Sequence, residues 1–131
     1  MIQERISAVI IKNKKVLLVT GYDESFYWTP GGKIKSNENH KSSLARELKE
    51  ELSIKLTDMN PYLIYKSINE ITKKKQKVHC YLIKYSEKIK PKKEITRILW
   101  YSKKDFEKGI PKISKGIEKH LMPKLIQDNI I

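Results

Sequence analysis

Apolar and polar positions alternate in short blocks along most of the chain, and one stretch in the middle breaks that rhythm. Ile6 to Ile11 and Val16 to Thr20 are β-branched runs separated by Lys12-Asn13-Lys14-Lys15, a pattern that predicts a hairpin with Asn13 at positive φ. Apolar residues occupy both faces of the first run, as in a central strand. Phe26-Tyr27-Trp28-Thr29 predicts a further short strand leading into Pro30-Gly31-Gly32. Tyr62 to Thr72 and Lys77 to Tyr85 flank a lysine-rich turn, Lys73 to Gln76, and predict a second hairpin; Ile95 to Tyr101 predicts the last strand. Between these groups, the segment from about Asn39 to Ser53 holds no Pro or Gly and is rich in good helix formers. It predicts a helix of about four turns, capped by Asn37 or Asn39. Ser102 caps a short helix, and Ile113 to Asp128 carries a closing amphipathic helix through Ile113, Ile117, Leu121 and Leu125.

This order of elements, with 131 residues and no repeat or linker, fits a single domain over 1–131. A chain of that size buries about two-thirds of the surface its unfolded form exposes. One cysteine, Cys80, excludes an internal disulfide, and Cys80 with His79 lacks the spaced partners of a zinc site, so both read as strand residues. No signal peptide or apolar run long enough to span a bilayer is present, which implies a reducing, cytoplasmic setting without membrane association.

Candidate chemistry lies on the middle helix. At about 100° per residue, Leu44, Ala45, Leu48 and Leu52 fall on one stripe, and Glu47, Glu50 and Glu51 fall on a neighbouring one. Acidic helix faces are ordinarily solvated surface. Here Glu47 faces Glu51 at i, i+4 and Glu50 at i, i+3, and each such like-charge pair weakens a helix by about 0.2–0.5 kcal/mol. A divalent cation is the economical compensation, because a hard ion such as Mg²⁺ takes carboxylate and carbonyl oxygens and keeps waters that a phosphate can replace. Upstream, Gly31 and Gly32 end an extended run where glycine lets backbone approach a ligand or ion closely.

Read from Gly32 to Ile54, the spacing is Gly-x5-Glu-x7-Arg-Glu-Leu-x-Glu-Glu-x-Ser-Ile, with Glu38, Arg46, Glu47, Glu50 and Glu51 at its fixed polar positions. The segment closely resembles the signature box of the Nudix hydrolases. It departs once: Ser53 stands where the family carries glycine. If the helix ends at Leu52, Ser53 takes a left-handed conformation at a cost of roughly 1–2 kcal/mol, which touches local stability and not chemistry. The resemblance implies an α/β fold, the family's α/β/α sandwich with a mixed sheet. It also implies that the Gly31 carbonyl, Glu47, Glu50 and Glu51 hold the metal, with Mg²⁺ as cofactor and Mn²⁺ able to replace it, and that Glu38 supports the site. Arg46 is either a surface charge or a cation orienting a box carboxylate through a bidentate pair, and the resemblance favours the second. Glu47 is either a third ligand or the general base. Glu94 lies six residues before Trp100, the offset at which mutator-type members carry an extra metal ligand or base; it reads equally as a loop carboxylate among lysines, and Glu87 competes with it.

Formal net charge is +13, and between Lys66 and Lys104 thirteen Lys and Arg face three acids, Glu70, Glu87 and Glu94. Such a field draws in polyphosphates, and would equally hold an RNA end, unless lysine is simply the default surface residue of an A/T-rich genome. Phe26 and Trp28 share one face of their predicted strand and offer aromatic surface to a base, unless they are core. With Gly32 and Lys33 they are the candidate substrate-binding residues. The reading is a Mg²⁺-dependent pyrophosphohydrolase that splits a nucleoside diphosphate linked to another moiety by water attack at phosphorus. The short chain resembles mutator-type sanitisers of (deoxy)nucleoside triphosphates, including oxidised purine nucleotides, which release monophosphate and pyrophosphate. ADP-ribose or dinucleoside polyphosphates are alternative substrates. RNA 5′ ends are another, supported by the basic second half but less favoured. A catalytically silent nucleotide-binding module is the alternative of another class, and the intact carboxylates oppose it.

Overall fold

A computed structural model describes residues 2–131. Its strands are β1 (Gln3–Val9), β2 (Ile11–Lys12), β3 (Lys15–Gly21), β4 (Gly31–Lys33), β5 (Lys55–Ile68), β6 (Lys75–Ser86) and β7 (Ile95–Tyr101). Its helices are α1 (His40–Leu52), α2 (Lys103–Lys108) and α3 (Met122–Gln127), the last preceded by a π-helical turn, Ile117–Leu121. Four strands form a mixed sheet in the order β4-β1-β6-β5, with β1 parallel to β6 and the other pairs antiparallel. β2, β3 and β7 form a smaller antiparallel sheet.

Alternation along β1 explains the layers. Ile6, Ala8 and Ile10 face α1, where Leu44, Leu48 and Leu52 bury against them and against Leu17 and Val19. Val9 faces the other way, with Val16, Leu18, Val78 and Tyr101, and packs under Ile117, Leu121, Met122 and Leu125. Burying each of these large side chains stabilises the fold by roughly 1.5–3 kcal/mol. The α/β/α sandwich with a mixed sheet follows. Among the described residues no helix is long and apolar enough to cross a membrane.

Four sequence expectations shift. The run from Ile6 to Ile11 is not one strand, because β1 ends at Val9 and β2 pairs with β3 in the other sheet. The hairpin is therefore β2–β3 alone, and both Asn13 and Lys14 take positive φ in its turn. Phe26 to Thr29 is not a strand: only isolated bridges form, Trp28 with Val19 and Tyr27 with Ile113, so the segment divides its pairing between two neighbours. The second hairpin reaches further back, to Lys55, and turns earlier, at Asn69–Lys74. Pro61 sits on the sheet edge beside a bulge, where a missing N–H is tolerated. The Asn69 side chain takes the Ile71 and Thr72 N–H groups and ends β5. Finally, Ile113 lies in a bridge ahead of the closing helix, whose ladder opens so that the Met122 N–H bonds the Ile117 carbonyl. Pro123, which lacks an N–H and crowds the preceding turn, accounts for that opening.

Candidate active site

Local rules build the frame. Asn39 caps α1 by accepting from the Ser42 N–H at 2.8 Å, and the Ser42 hydroxyl answers the Asn39 N–H at 3.2 Å. Ser53 ends the helix at φ 63° and ψ 22°, the left-handed conformation expected of it. Its hydroxyl donates to the Lys90 carbonyl at 3.0 Å, a compensation the sequence does not reveal. The Lys90 and Lys92 N–H groups bond the Leu52 and Glu51 carbonyls, which ties the loop ahead of Glu94 to the end of α1.

Two glycines let β4 approach its neighbours closely, Gly31 against β1 and Gly32 against α1. Gly31 has φ 141°, and a Cβ there would lie 2.0 Å from the Ile6 carbonyl oxygen. A Cβ on Gly32 would lie 2.5 Å from Glu47 Oε1, so the loop backbone rests on that carboxylate. Gly31 also donates its N–H to Glu51 Oε1 at 3.0 Å.

The box carboxylates sit in three environments. Glu51 is only 3% exposed, and burial pushes its carboxyl up to about 8, with the charges of Glu47 and Glu94 adding to the rise. Burial also raises Glu47, against the pull of Arg46. Glu50 is the most open, with its side chain 32% exposed. Arg46 ties the group together: Nε and Nη2 donate to Glu38 at 2.6 and 3.0 Å, and Nη1 donates to Glu47 at 2.9 Å and Glu50 at 3.2 Å. The bidentate pair holds Glu38 down to about 2 and raises Arg46. Glu38 also accepts from the Lys35 N–H at 3.1 Å, fastening the loop after β4. The bidentate partner of Arg46 is thus Glu38, and Glu47 and Glu50 receive single bonds.

A cavity of about 350 Å³ opens beside this helix. Glu47, Glu51, Glu94, Gly31, Gly32, Lys33, Phe26 and Trp28 all line it, while Glu50 does not. Phe26 and Trp28 meet with ring centroids 5.4 Å apart, although no regular strand carries them. Glu87 lies elsewhere, 3.7 Å from Lys49 on the surface. Cys80 and His79 are in β6 as expected; His79 bonds Glu4 at 2.8 Å and burial pushes the Cys80 thiol up to about 12. Sequence reasoning missed Arg5, Tyr65, Ser67 and Gln76, which line the same cavity. The period-2 pattern of β1 does set Arg5 opposite to Ile6 and Ala8, but only the fold shows that its face meets the cavity.

Does this donor set suit a divalent ion? Carboxylate oxygens are hard donors, and Glu51 is a buried carboxylate without a cationic partner among the described ion pairs, so a cation would offset the charge that burial disfavours. Among the described residues no three ligand-type side chains already converge on one point, since Arg46 engages Glu47 and Glu50. The residue types fit.

A capped helix bringing buried carboxylates to a cavity with cations and aromatic rings in its wall suits the chemistry of a phosphate-handling hydrolase. The sequence model of the NUDIX domain matches residues 1–124, and the chain belongs to that family, whose members act on pyrophosphate bonds and use a divalent metal ion. No curated protein matches the chain in sequence. Solved structures share the fold. A MutT NUDIX hydrolase from Burkholderia pseudomallei has a TM-score of 0.79 at 18% identity, with 95% of this chain and 98% of that one covered. The E. coli ORF135 protein has a TM-score of 0.77 at 20% identity, with 98% and 91% covered. A bifunctional NMN adenylyltransferase/ADP ribose pyrophosphatase from Francisella tularensis, complexed with AMP and a Mn ion, has a TM-score of 0.76 at 16% identity, with 98% of this chain and 42% of that one covered.

Proposed function

We propose that the chain is a Mg²⁺-dependent pyrophosphohydrolase of nucleoside triphosphates, oxidised purine nucleotides among them, releasing monophosphate and pyrophosphate in the cytoplasm. The observation that carries this reading is one cavity holding carboxylates for an ion, Lys33 for phosphate, and the Phe26–Trp28 pair for a base. Glu47, Glu50, Glu51 and the Gly31 carbonyl are the residues to hold the metal, with Mn²⁺ an acceptable substitute. When bound, the ion supplies charge neutralisation at phosphoryl oxygens and a more acidic water. Arg46 sets the orientation of Glu47 and Glu50, and Glu38 fixes Arg46 and the loop. Glu94, which lines the same cavity, is the second candidate besides Glu47 for taking the proton of the attacking water.

The test is kcat/KM over a panel of normal and oxidised (deoxy)nucleoside triphosphates, ADP-ribose, dinucleoside polyphosphates and 5′-triphosphorylated RNA. A free triphosphate should be the best substrate. Preference for ADP-ribose or RNA ends by more than about tenfold, which is roughly 1.4 kcal/mol in transition-state binding, would overturn the substrate assignment.

A further inference from the structure

Arg5 on β1 and Lys33 on β4 stand directly opposite each other in an antiparallel ladder. Opposed residues of such a pair share a face, and like charges placed opposite destabilise it. Both line the cavity beside Glu47 and Glu51. The ion pairs of the described residues engage Arg46 and Arg97 and leave Arg5 and Lys33 without an acid. Glu47 is hydrogen-bonded by Arg46, and Glu51 accepts the Gly31 N–H, and neither carboxylate forms a direct ion pair with the two cations. Arg5 is partly buried and lines the cavity together with Glu47, Glu51 and Tyr65. A partly buried arginine with a lysine opposite and no direct ion pair leaves guanidinium donors for an incoming anion.

We propose that Arg5 is a substrate-binding residue which, with Lys33, clamps non-bridging oxygens of the phosphate chain and thereby favours triphosphates over ADP-ribose. The proposal rests on the nucleotide-hydrolase reading above. A terminal phosphoryl group adds charge and acceptor oxygens that a diphosphate diester lacks, and a guanidinium takes two such oxygens at once.

The test compares wild type, Arg5→Gln and Arg5→Lys for KM and kcat on a nucleoside triphosphate and on ADP-ribose, with the affinity for inorganic tripolyphosphate measured calorimetrically on the same proteins. Arg5→Gln should raise KM for the triphosphate about tenfold or more, the scale of losing a hydrogen bond to a charged group. It should lose less on ADP-ribose and should weaken tripolyphosphate binding; Arg5→Lys, which keeps the charge, should fall between it and wild type. Unchanged triphosphate KM and tripolyphosphate affinity in Arg5→Gln would overturn the clamp. So would an equal loss on both substrates that Arg5→Lys does not mend, the behaviour of a merely structural residue. Wild-type protein that ignores every triphosphate as substrate, yet binds tripolyphosphate through Arg5, would defeat the functional reading and leave the clamp standing.

Discussion

In metal-free protein, Glu51→Gln should raise stability, and by a margin that grows with pH. Glu51 is 3% exposed, and burial lifts its carboxyl from 4.5 to about 8. Below pH 4.5 the group is protonated in both folded and unfolded chains, so it contributes no pH dependence. Between those two values the unfolded chain has ionised while the folded one retains the proton, and stability falls by about 1.4 kcal/mol per pH unit. Above pH 8 both forms are ionised and the loss levels off, at about 5 kcal/mol in all. Glutamine keeps an oxygen for the Gly31 N–H and cannot ionise. Several other groups titrate with opposite sign, Glu38 and His40 among them. Glu38, held at about 2, loses its contribution as pH falls from 4.5, and His40, lowered by burial, gains stability as pH rises through its ordinary range. All are common to wild type and variant and cancel in the difference. Denaturant unfolding in EDTA, followed by circular dichroism from about pH 4 to about pH 9, measures that difference. A constant offset across the range would refute the buried-carboxylate argument. Adding Mg²⁺ should then stabilise wild type more than the variant.

Glu50→Gln and Glu51→Gln should each lower turnover by orders of magnitude while circular dichroism shows an intact fold; full activity of Glu50→Gln at saturating Mg²⁺ would sink its place as a ligand. Gly32→Ala puts a methyl group 2.5 Å from Glu47 Oε1, so kcat should fall about tenfold or more as that carboxylate swings aside, with a smaller effect on the melting temperature. At Ser53 the left-handed strain of roughly 1–2 kcal/mol is set against a hydrogen bond to Lys90 worth about 0.5–1.5 kcal/mol. Ser53→Gly should therefore move the melting temperature little, and Ser53→Ala, which keeps the strain and loses the bond, should melt below Ser53→Gly.

The sequence by itself determined the features that neighbouring residues decide among themselves. Ser53 stops α1, and Asn39, one of the two caps that the sequence allows, starts it, because caps depend on a few adjacent backbone groups, and the leucine stripe is buried because its period is that of the helix. Asn13 at positive φ is equally local. The spacing of the box marked the acidic face, but it left Glu47, Glu50 and Glu51 alike. Tertiary packing made them different, burying Glu51 beneath the β4 loop and leaving Glu50 open beside Arg46 and Lys93. Where a partner is distant in sequence, local pattern had no purchase. The Phe26–Thr29 segment has strand-like residues but finds only single bridges, and Ile113 fits the helical period yet is held by Tyr27. The pairing of Arg5 with Lys33 follows from the register of β1 on β4, which the sheet as a whole sets, because a one-residue slip would turn every side chain of a strand to the other face.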